Sequence, residues 1–281
     1  MTYLEQAKKP VPKAPMITIV GSAGGGKTTL GARFPSPIFI RAEDGASVFD
    51  SWDEDIKPVL MPQLPKPAMD ATGKNFASST KETLIAQLRE LATAEHDFKT
   101  VVIDTVTALN KLFEQEIAMR DSVGNVADAS GGFHKGYTEV ASWHSDIIYY
   151  CSILQQRKGM TVVFLAHQGI EKIKLNPEEA SEYAIFTLDM HKSSAALYVS
   201  NSDGVIYVKH ESFIAGAETN RKTGQTTKFG RLMQSGERKL ITTGDGQTGY
   251  AHAKNRYELP PEMPLPMGDN PLLNHIKFFN K

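Results

Sequence analysis

The sequence predicts an α/β fold in which a mostly parallel, twisted sheet is flanked by helices and is extended by antiparallel strands near the C-terminal end. Over the first 166 residues, short apolar runs rich in β-branched residues alternate with segments of helical periodicity, a pattern typical of a parallel sheet covered on both faces. After about residue 200 the chain changes to strand-like runs separated by glycine-rich turns, which is typical of antiparallel strands. A glycine-rich octapeptide directly follows the first predicted strand.

That octapeptide, GSAGGGKT at Gly21–Thr28, matches the pattern G-x-x-x-x-G-K-[ST]. A predicted strand at 16–20 precedes it and a predicted helix at 29–34 follows it, so the flanks match as well. Glycine permits backbone conformations closed to other residues, and several N–H groups can then converge on a phosphate. We predict that Lys27 reaches the β- and γ-phosphates of ATP and that the Thr28 hydroxyl ligates Mg²⁺. A glycine-rich turn without a ligand is the alternative. The predicted nucleotide-binding residues are Gly21, Ser22, Ala23, Gly24, Gly25, Gly26, Lys27, Thr28 and Thr29.

Composition indicates an ordinary globular protein of the cytoplasm. The chain has 281 residues and a net charge of −1, which neither supports nor excludes nucleic-acid binding because a local basic stripe is what matters. No run approaches the ~20 apolar residues of a membrane span, and the start has no signal-peptide pattern. Cys151 is the only cysteine, which excludes an intramolecular disulfide and a cysteine-based zinc cluster. We predict a flexible arm at 1–15, an ATPase domain at 16–261 and a tail at 262–281.

Secondary-structure signals follow in regular order. Ser79 and Glu82 have capping-box spacing and start a predicted helix over about 80–94. A polar, glycine-rich segment at 120–136 has no periodicity and predicts a mobile loop. The other predicted strands are 38–40, 100–104, 160–166, 205–209, 239–243 and 249–254, and the other predicted helices are 106–119 and one that begins at Tyr137.

Acidic residues stand where two of the predicted strands end. Asp104 closes the strand at 100–104 and is predicted to hold Mg²⁺, although an Asp in this position also commonly caps the following helix. Glu43 follows the strand at 38–40. Because the carboxyl ends of parallel strands meet at one crevice, we predict that Glu43 polarises the attacking water. Asp44 is the competing candidate.

An amide side chain stands at a third strand end. Gln168 follows the strand at 160–166, and its amide can donate to a phosphate while its carbonyl accepts from water. We predict that it senses the γ-phosphate; a turn residue without a ligand is the alternative. His167 is a second candidate for the same role.

The order of these elements resembles the RecA-type ATPase core of homologous recombination proteins, and most of all the short, phage-encoded RecA-like recombinases associated with single-strand annealing. The resemblance covers about residues 16–260 and includes GSAGGGKT, IFIRAEDGASVFD, VVIDTVTALN and TVVFLAHQ. It implies ATP and Mg²⁺ as cofactors, water activation by Glu43, and a Gln168 that senses the γ-phosphate and signals to a DNA-binding loop. It also implies a homo-oligomer, a filament or a ring, in the cytoplasm of a bacterial host.

A basic pair near the end of the resemblance is similar to a Lys-Asn-Lys segment by which RecA filaments contact ATP bound to the neighbouring subunit. The pair is Lys254 and Arg256 in the run AKNR, and both point to one face if 250–257 is a strand. The resemblance implies that these cations stabilise transition-state charge in trans, an effect worth ~10³ to 10⁵ in rate for an arginine finger. A solvated basic strand edge is the alternative.

Three segments are candidates for binding single-stranded DNA. The resemblance implies DNA-binding loops at about 120–136 and 169–186. The first combines cations with an aromatic ring, which suits phosphate contact and base stacking, and the second holds two lysines among several glutamates. A third segment, 221–239, has six cations and one anion, and a solvated hairpin face is the alternative to a DNA role there. The predicted DNA-binding residues are Phe133, Lys135, Lys172, Lys174, Arg221, Lys222, Lys228 and Arg231.

Together these signals predict an ATP-dependent recombination protein that binds single-stranded DNA and anneals or pairs strands, with DNA-stimulated hydrolysis of ATP. We predict a single-strand binding protein as a partner, and we predict no association with a membrane. A P-loop nucleotide switch that acts as a replication accessory or helicase-loading factor through a protein partner is the alternative. A small-molecule kinase is disfavoured because 120–136 has no cluster of arginines for a lid. The chain has no room for the larger C-terminal domain of RecA, which leaves the oligomeric form open.

Overall fold

A mixed sheet with helices on both faces forms the body of the protein, in agreement with the predicted fold class. The computed structural model describes residues 3–7, 9, 11–174, 182–216, 218–219, 226–228, 230–243 and 251–280. Within these ranges, no helix combines the length and the apolar composition needed to cross a bilayer.

Strands and helices alternate through most of the chain. The strands are β1 (Met16–Gly21), β2 (Pro37–Arg41), β3 (Val59–Leu60), β4 (Ala68–Met69), β5 (Phe76–Ser78), β6 (Thr100–Asp104), β7 (Thr161–Lys174), β8 (Glu182–Leu188), β9 (Gly204–Ala215), β10 (Glu218–Thr219), β11 (Thr226–Lys228), β12 (Arg231–Ile241), β13 (Lys254–Asn255) and β14 (Glu262–Pro264). The helices are α1 (Tyr3–Gln6), α2 (Lys27–Gly31), α3 (Thr80–Thr93), α4 (Val106–Arg120), α5 (Lys135–Ile153), α6 (Lys192–Asn201) and α7 (Leu272–His275).

Strand β1 lies in the middle of the main sheet, between β7 and β9. The order across the sheet is β3-β2-β6-β7-β1-β9-β12-β14, and neighbouring strands from β3 to β9 are parallel. β12 is antiparallel to β9, and β14 is antiparallel to β12. The predicted extension of a parallel sheet by antiparallel C-terminal strands is therefore confirmed. The carboxyl ends of β1, β7, β6 and β2 meet at one edge of the sheet.

Two apolar cores cover the two faces of the sheet, because alternate strand residues point to opposite sides. One core packs α3, α4, α5 and α6 on the sheet and includes Phe113. The other packs α2, through Leu30, together with the C-terminal segment on the opposite face. In that segment Leu272 and Ile276 are buried. Residues 262–280, most of the predicted tail, thus contribute a strand and buried side chains to the fold.

A buried polar chain joins three of the helices. Nδ1 of His144 on α5 lies 2.7 Å from the Tyr198 hydroxyl on α6, and Nε2 lies 3.1 Å from Oδ1 of Asn110 on α4. Burial lowers the pKa of His144 to about 3, so the ring stays neutral near pH 7 and both of its nitrogens have partners. These bonds hold α4, which begins two residues after Asp104, in a fixed position on the sheet.

The second predicted DNA-binding loop is largely strand, which differs from the sequence prediction. β7 continues to Lys174 and pairs with β8 in an antiparallel hairpin that begins at Gln168 and Leu188. Leu188 and Ile185 of β8 are buried. Their burial against the core favours extended pairing over a loop. Residues 175–181 lie outside the described part of the chain.

The first predicted loop is a turn-rich connection between α4 and α5. Nη2 of Arg120 donates to Oε2 of Glu139 at 2.9 Å, and the backbone N–H of Ser130 donates to Asp121 at 2.6 Å. Ala129 is buried. These bonds tie the end of α4 to the start of α5.

The strand predicted at 249–254 is much shorter in the structure. Residues 244–250 lie outside the described part of the chain, and the strand that follows, β13, contains only Lys254 and Asn255. Oδ1 of Asn255 accepts hydrogen bonds from the backbone N–H groups of Tyr257 and Leu259 at 3.2 and 3.1 Å. An Asn side chain that bonds its own backbone in this way turns the chain and ends the strand.

Candidate active site

The nucleotide-binding motif connects β1 to α2 at the carboxyl edge of the sheet, as the sequence predicts. Gly24 and Gly26 have φ values of +69° and +90°, a conformation that other residues rarely adopt. Gly21 and Gly25 have ordinary φ values, so the predicted need for special φ does not extend to them. Gly25 instead lacks room, because a Cβ there would lie 3.0 Å from the carbonyl oxygen of Ser22. The complete loop is Gly21, Ser22, Ala23, Gly24, Gly25, Gly26, Lys27, Thr28 and Thr29.

The Lys27 side chain folds back over this loop. Its Nζ donates to the carbonyl oxygens of Gly21 at 3.1 Å and Ser22 at 2.9 Å, and it lies 3.4 Å from Nδ1 of His167. Lys27 is 5% exposed, and burial lowers the pKa of its ammonium group. All three contacts are to neutral acceptors. A phosphate is a stronger acceptor for an ammonium group than any of them.

Thr28 and Asp104 meet across the sheet edge and fit a Mg²⁺ site. The Thr28 hydroxyl donates to Oδ2 of Asp104 at 2.9 Å. Oδ1 of Asp104 is buried and has no hydrogen-bond partner among the described residues. Burial raises the pKa of Asp104 to about 6. Mg²⁺ is commonly held by one or two carboxylates together with substrate phosphates, so the unpartnered oxygen and the adjacent hydroxyl are a suitable donor set.

Glu43 lies at the same edge and is connected to Lys27 through His167. Oε1 of Glu43 is 3.3 Å from Nε2 of His167. The Lys27 ammonium can only donate hydrogen bonds, so Nδ1 of His167 accepts one from it. The other ring nitrogen, Nε2, then carries the hydrogen and donates to Glu43. This hydrogen bond is the main reason why the pKa of Glu43 is lowered despite partial burial, and the carboxylate stays ionised. An ionised carboxylate beside the phosphate loop can accept a proton from water.

The alternative carboxylate, Asp44, lies away from this group. Its side chain is 79% exposed and is 3.8 Å from Nη1 of Arg41. Among the described residues it has no contact with Lys27 or Asp104. The structure therefore brings Glu43, and not Asp44, to the phosphate loop.

His167, and not Gln168, contacts the other site residues. β7 lies between β1 and β6, and His167 pairs in register with Gly21 at the start of the loop. The Gln168 backbone pairs with Leu188, and its side chain makes no hydrogen bond within the described ranges. Alternation along a strand directs neighbouring side chains to opposite faces. The sequence could have favoured His167 only if the register of β7 against β1 had been known.

Lys254 and Arg256 lie far from the phosphate loop of their own chain. Nζ of Lys254 donates to the carbonyl oxygens of Val199 at 3.0 Å and Ser200 at 2.6 Å. The backbone N–H of Arg256 donates to Asp203, and its guanidinium is 3.2 Å from the Asp203 carboxylate. These contacts are at the amino edge of the sheet, whereas the loop begins at the carboxyl edge.

The candidate DNA-binding residues lie on several elements. Phe133 is 91% exposed directly before α5, and Lys135 and Lys172 are exposed on α5 and β7. Arg231 is exposed at the start of β12. Lys174 and Lys228 belong to β7 and β11, whereas Arg221 and Lys222 lie outside the described residues.

Asp104→Asn is expected to stabilise the nucleotide-free protein while reducing Mg²⁺-dependent hydrolysis. The raised pKa means that the ionised carboxylate destabilises the fold above pH 6, a cost that protonation removes as the pH falls from about 6 to 3.8. The neutral amide removes this cost at pH 7, a gain of ~1–3 kcal/mol in the free energy of unfolding, and lowers the hydrolysis rate ~10²-fold. Urea unfolding at pH 7 and phosphate release measure the two effects. Asp44→Asn is the control and should change neither, and a less stable Asp104→Asn protein would contradict the prediction.

Comparison with known proteins agrees with this geometry. A protein-family model described as an AAA domain matches residues 13–257, which include β1, the phosphate loop and every strand end around it. A search among curated proteins finds no match. Because the matched region covers most of the chain and contains the complete phosphate site, the protein belongs to the AAA domain family of P-loop ATPases.

Proposed function

We propose that this ATPase binds single-stranded DNA and acts in recombination, by annealing or pairing complementary strands. The observation that carries the proposal is an aromatic stack with unpaired lysines around it, which is connected to the ATPase site by one strand. Hydrolysis of ATP follows from the family; the DNA substrate is the proposed step.

The aromatic stack consists of His134, Tyr137 and His191. The rings of Tyr137 and His191 are nearly parallel, with centroids 4.4 Å apart, and His134 stacks on Tyr137 at 6.0 Å. The exposed ring of Phe133 is next to His134 in the chain. His134 is exposed, whereas Tyr137 and His191 are half-buried. Flat rings that keep part of their surface accessible favour stacking with nucleic-acid bases, which is worth ~1–3 kcal/mol per base.

Three lysines without acidic partners among the described residues lie next to the stack in sequence or line the groove beside it. Lys135 follows His134, Lys192 follows His191, and Lys172 lies on β7. In the part of the chain that the structure describes, none of these three lysines forms an ion pair. Lys172, His191 and Lys192 line one groove between the β7–β8 hairpin and α6, with a volume of about 760 Å³. An unpaired lysine is free to neutralise a phosphate.

The ATPase site and this surface share backbone. β7 runs from His167, which contacts Lys27 and Glu43, to Lys172 in the groove. The N–H of Asp189, two residues before His191, donates to the carbonyl oxygen of His167 at 2.9 Å. His167, whose contact with Lys27 a bound nucleotide would replace, is thus bonded to both sides of the groove, and this supports the proposed coupling between hydrolysis and DNA binding.

The chain's own residues supply the hydrolytic step as follows. Glu43 accepts a proton from the water whose oxygen attacks the γ-phosphorus, the bond from that phosphorus to the bridging oxygen breaks, and ADP leaves. Lys27 donates to the phosphate oxygens in place of His167. Thr28 and Asp104 would hold Mg²⁺, which neutralises charge on the β- and γ-phosphates when bound.

The DNA proposal is tested with variants of the aromatic stack. Tyr137→Ala and His191→Ala should each weaken binding of a thymidine oligonucleotide by ~1–3 kcal/mol, about 5- to 150-fold, because a stacking surface is lost. Both should reduce DNA stimulation of ATP hydrolysis without changing the rate in the absence of DNA. Fluorescence anisotropy at two salt concentrations and phosphate release measure these effects.

Tyr149→Ala is the matched control, because Tyr149 is an exposed aromatic residue on the same helix. Binding that is unchanged in the stack variants would contradict this surface as the DNA site. An ATPase of the intact protein that is indifferent to single-stranded DNA would contradict the proposed function and favour the nucleotide switch that acts through a protein partner.

We further propose that the protein works as a homo-oligomer in which Lys254 and Arg256 contact ATP on the neighbouring subunit. Arg256 is at the level of Met16, five residues before Gly21, which is ~16 Å along the strand. This distance excludes contact with the nucleotide of the same chain. A catalytic role for the two cations therefore requires a second subunit.

A further inference from the structure

An irregularity in β12 directs an arginine toward the phosphate loop. Between Gln234 and Arg238 the pairing with β9 loses its register, since these residues lie opposite Ser212 and His210. Three residues of β12 thus form a β-bulge opposite one residue of β9. A bulge of this kind changes the direction of the side chains next to it. The carbonyl oxygen of Arg238 also accepts the N–H of Leu265 at 2.8 Å. The backbone of Arg238 is therefore held from both sides.

The guanidinium group of Arg238 packs directly on the phosphate loop. A Cβ on Gly26 would collide with Nη1 of Arg238 and would lie 3.4 Å from its Cζ. Gly26 is the residue before Lys27 and has a φ of +90°. Arg238 and Gly26 also line one narrow cleft with Thr29, the last residue of the loop. The cation is therefore beside the backbone that the motif uses to hold phosphates.

Arg238 has no anionic partner, unlike its neighbour in the strand. Its five N–H groups make no hydrogen bond and no ion pair within the described part of the chain. The Lys239 ammonium, in contrast, pairs with Glu211 and lies 3.7 Å from Glu262. The two cations that end the basic segment at 221–239 therefore differ in their surroundings. Arg238 lies at the phosphate loop, whereas Lys239 is paired with acidic residues on the surface.

We propose that Arg238 binds the α- or β-phosphate of the nucleotide in the same chain; this inference rests on the proposed nucleotide-binding function of the loop. The N–H groups around Gly26 and Thr29 are those that cradle the α- and β-phosphates in this motif. A planar guanidinium suits phosphate oxygens because it can donate two parallel hydrogen bonds. The ligand class is a nucleoside diphosphate or triphosphate, and the γ-phosphate is not needed for the contact.

Arg238→Gln tests the inference through binding of MgADP and MgATP, measured by calorimetry. The expected result is about 10- to 100-fold weaker binding of both nucleotides, with a similar factor for each because both carry the contacted phosphates. Arg238→Lys should retain part of the affinity. Lys239→Gln is the matched control, since it removes the adjacent cation from the same strand, and it should leave both affinities unchanged.

Melting temperatures without nucleotide show whether the Arg238→Gln protein is folded, and the comparison is made between folded proteins. ADP affinity within twofold of the unaltered protein would overturn the inference, as would a loss confined to ATP, which would move the contact to the γ-phosphate. Lys27→Ala in the same experiment separates the two proposals. If neither nucleotide binds the unaltered protein, the proposed function fails; if Lys27→Ala loses binding and Arg238→Gln does not, only the role of Arg238 fails.

Discussion

Glu43→Gln is expected to slow ATP hydrolysis by ~10² to 10⁴-fold while leaving MgATP binding nearly unchanged. The amide has the same shape as the carboxylate but cannot accept a proton from water, and removal of a general base has an effect of this size. Lys27, Thr28 and Asp104 remain in place, so the contacts to the phosphates are kept. Phosphate release under saturating ATP, together with calorimetric binding, measures the two properties separately.

Asp44→Asn is the matched control for this prediction. It alters the neighbouring carboxylate, which is exposed and is near Arg41. Full activity is expected. The roles of the two acids would have to be exchanged if Asp44→Asn were inactive and Glu43→Gln were active.

Combined replacement of Lys254 and Arg256 by Ala is expected to lower hydrolysis by ~10³ to 10⁵-fold, the effect of removing an arginine finger. Each subunit should still bind ATP, because its phosphate loop is intact. Mixing this variant with Glu43→Gln should restore part of the activity. In a mixed assembly, the phosphate site of the first protein faces the cation pair of the second, and one complete site forms. Phosphate release across a range of mixing ratios detects it.

Lys13→Ala is a suitable control for the mixing experiment. The Lys13 ammonium is 3.7 Å from the carboxylate of Asp203, which also contacts Arg256. Lys13→Ala therefore disturbs the same acidic group without removing a proposed catalytic cation, and it should remain active. If the combined variant stays inactive in every mixture and also melts at a lower temperature, the two cations serve the fold of their own chain.

Local sequence patterns predicted much of the fold and part of the site. The motif at Gly21–Thr28 specifies its own conformation, because its glycines permit the turn and its flanks are a buried strand and a helix. Strand ends in a parallel sheet share one edge, and this rule alone was enough to predict that Glu43 and Asp104 approach Lys27. Their catalytic roles remain predictions.

Features that depend on pairing between distant segments could not be predicted. His167 and Lys27 are 140 residues apart in sequence, and their contact depends on the register of β7 against β1. Arg238 reaches the loop because of a bulge, whose position depends on the pairing of two strands. The β7–β8 hairpin depends on burial of Leu188 and Ile185. In each of these three cases the pairing and burial of distant segments determine the local structure, whereas the local sequence is compatible with more than one structure.

The length of β7 has a mechanical consequence. His167 and Lys172 are five residues apart on an uninterrupted strand, ~17 Å, and no loop or hinge separates them. We therefore expect that a shift of the strand at His167 on phosphate contact also displaces Lys172, because both residues belong to one continuously paired strand. The position of Lys172, and with it the shape of the groove, would then differ between the ATP-bound and the ADP-bound protein without a chain of side-chain contacts between the two sites.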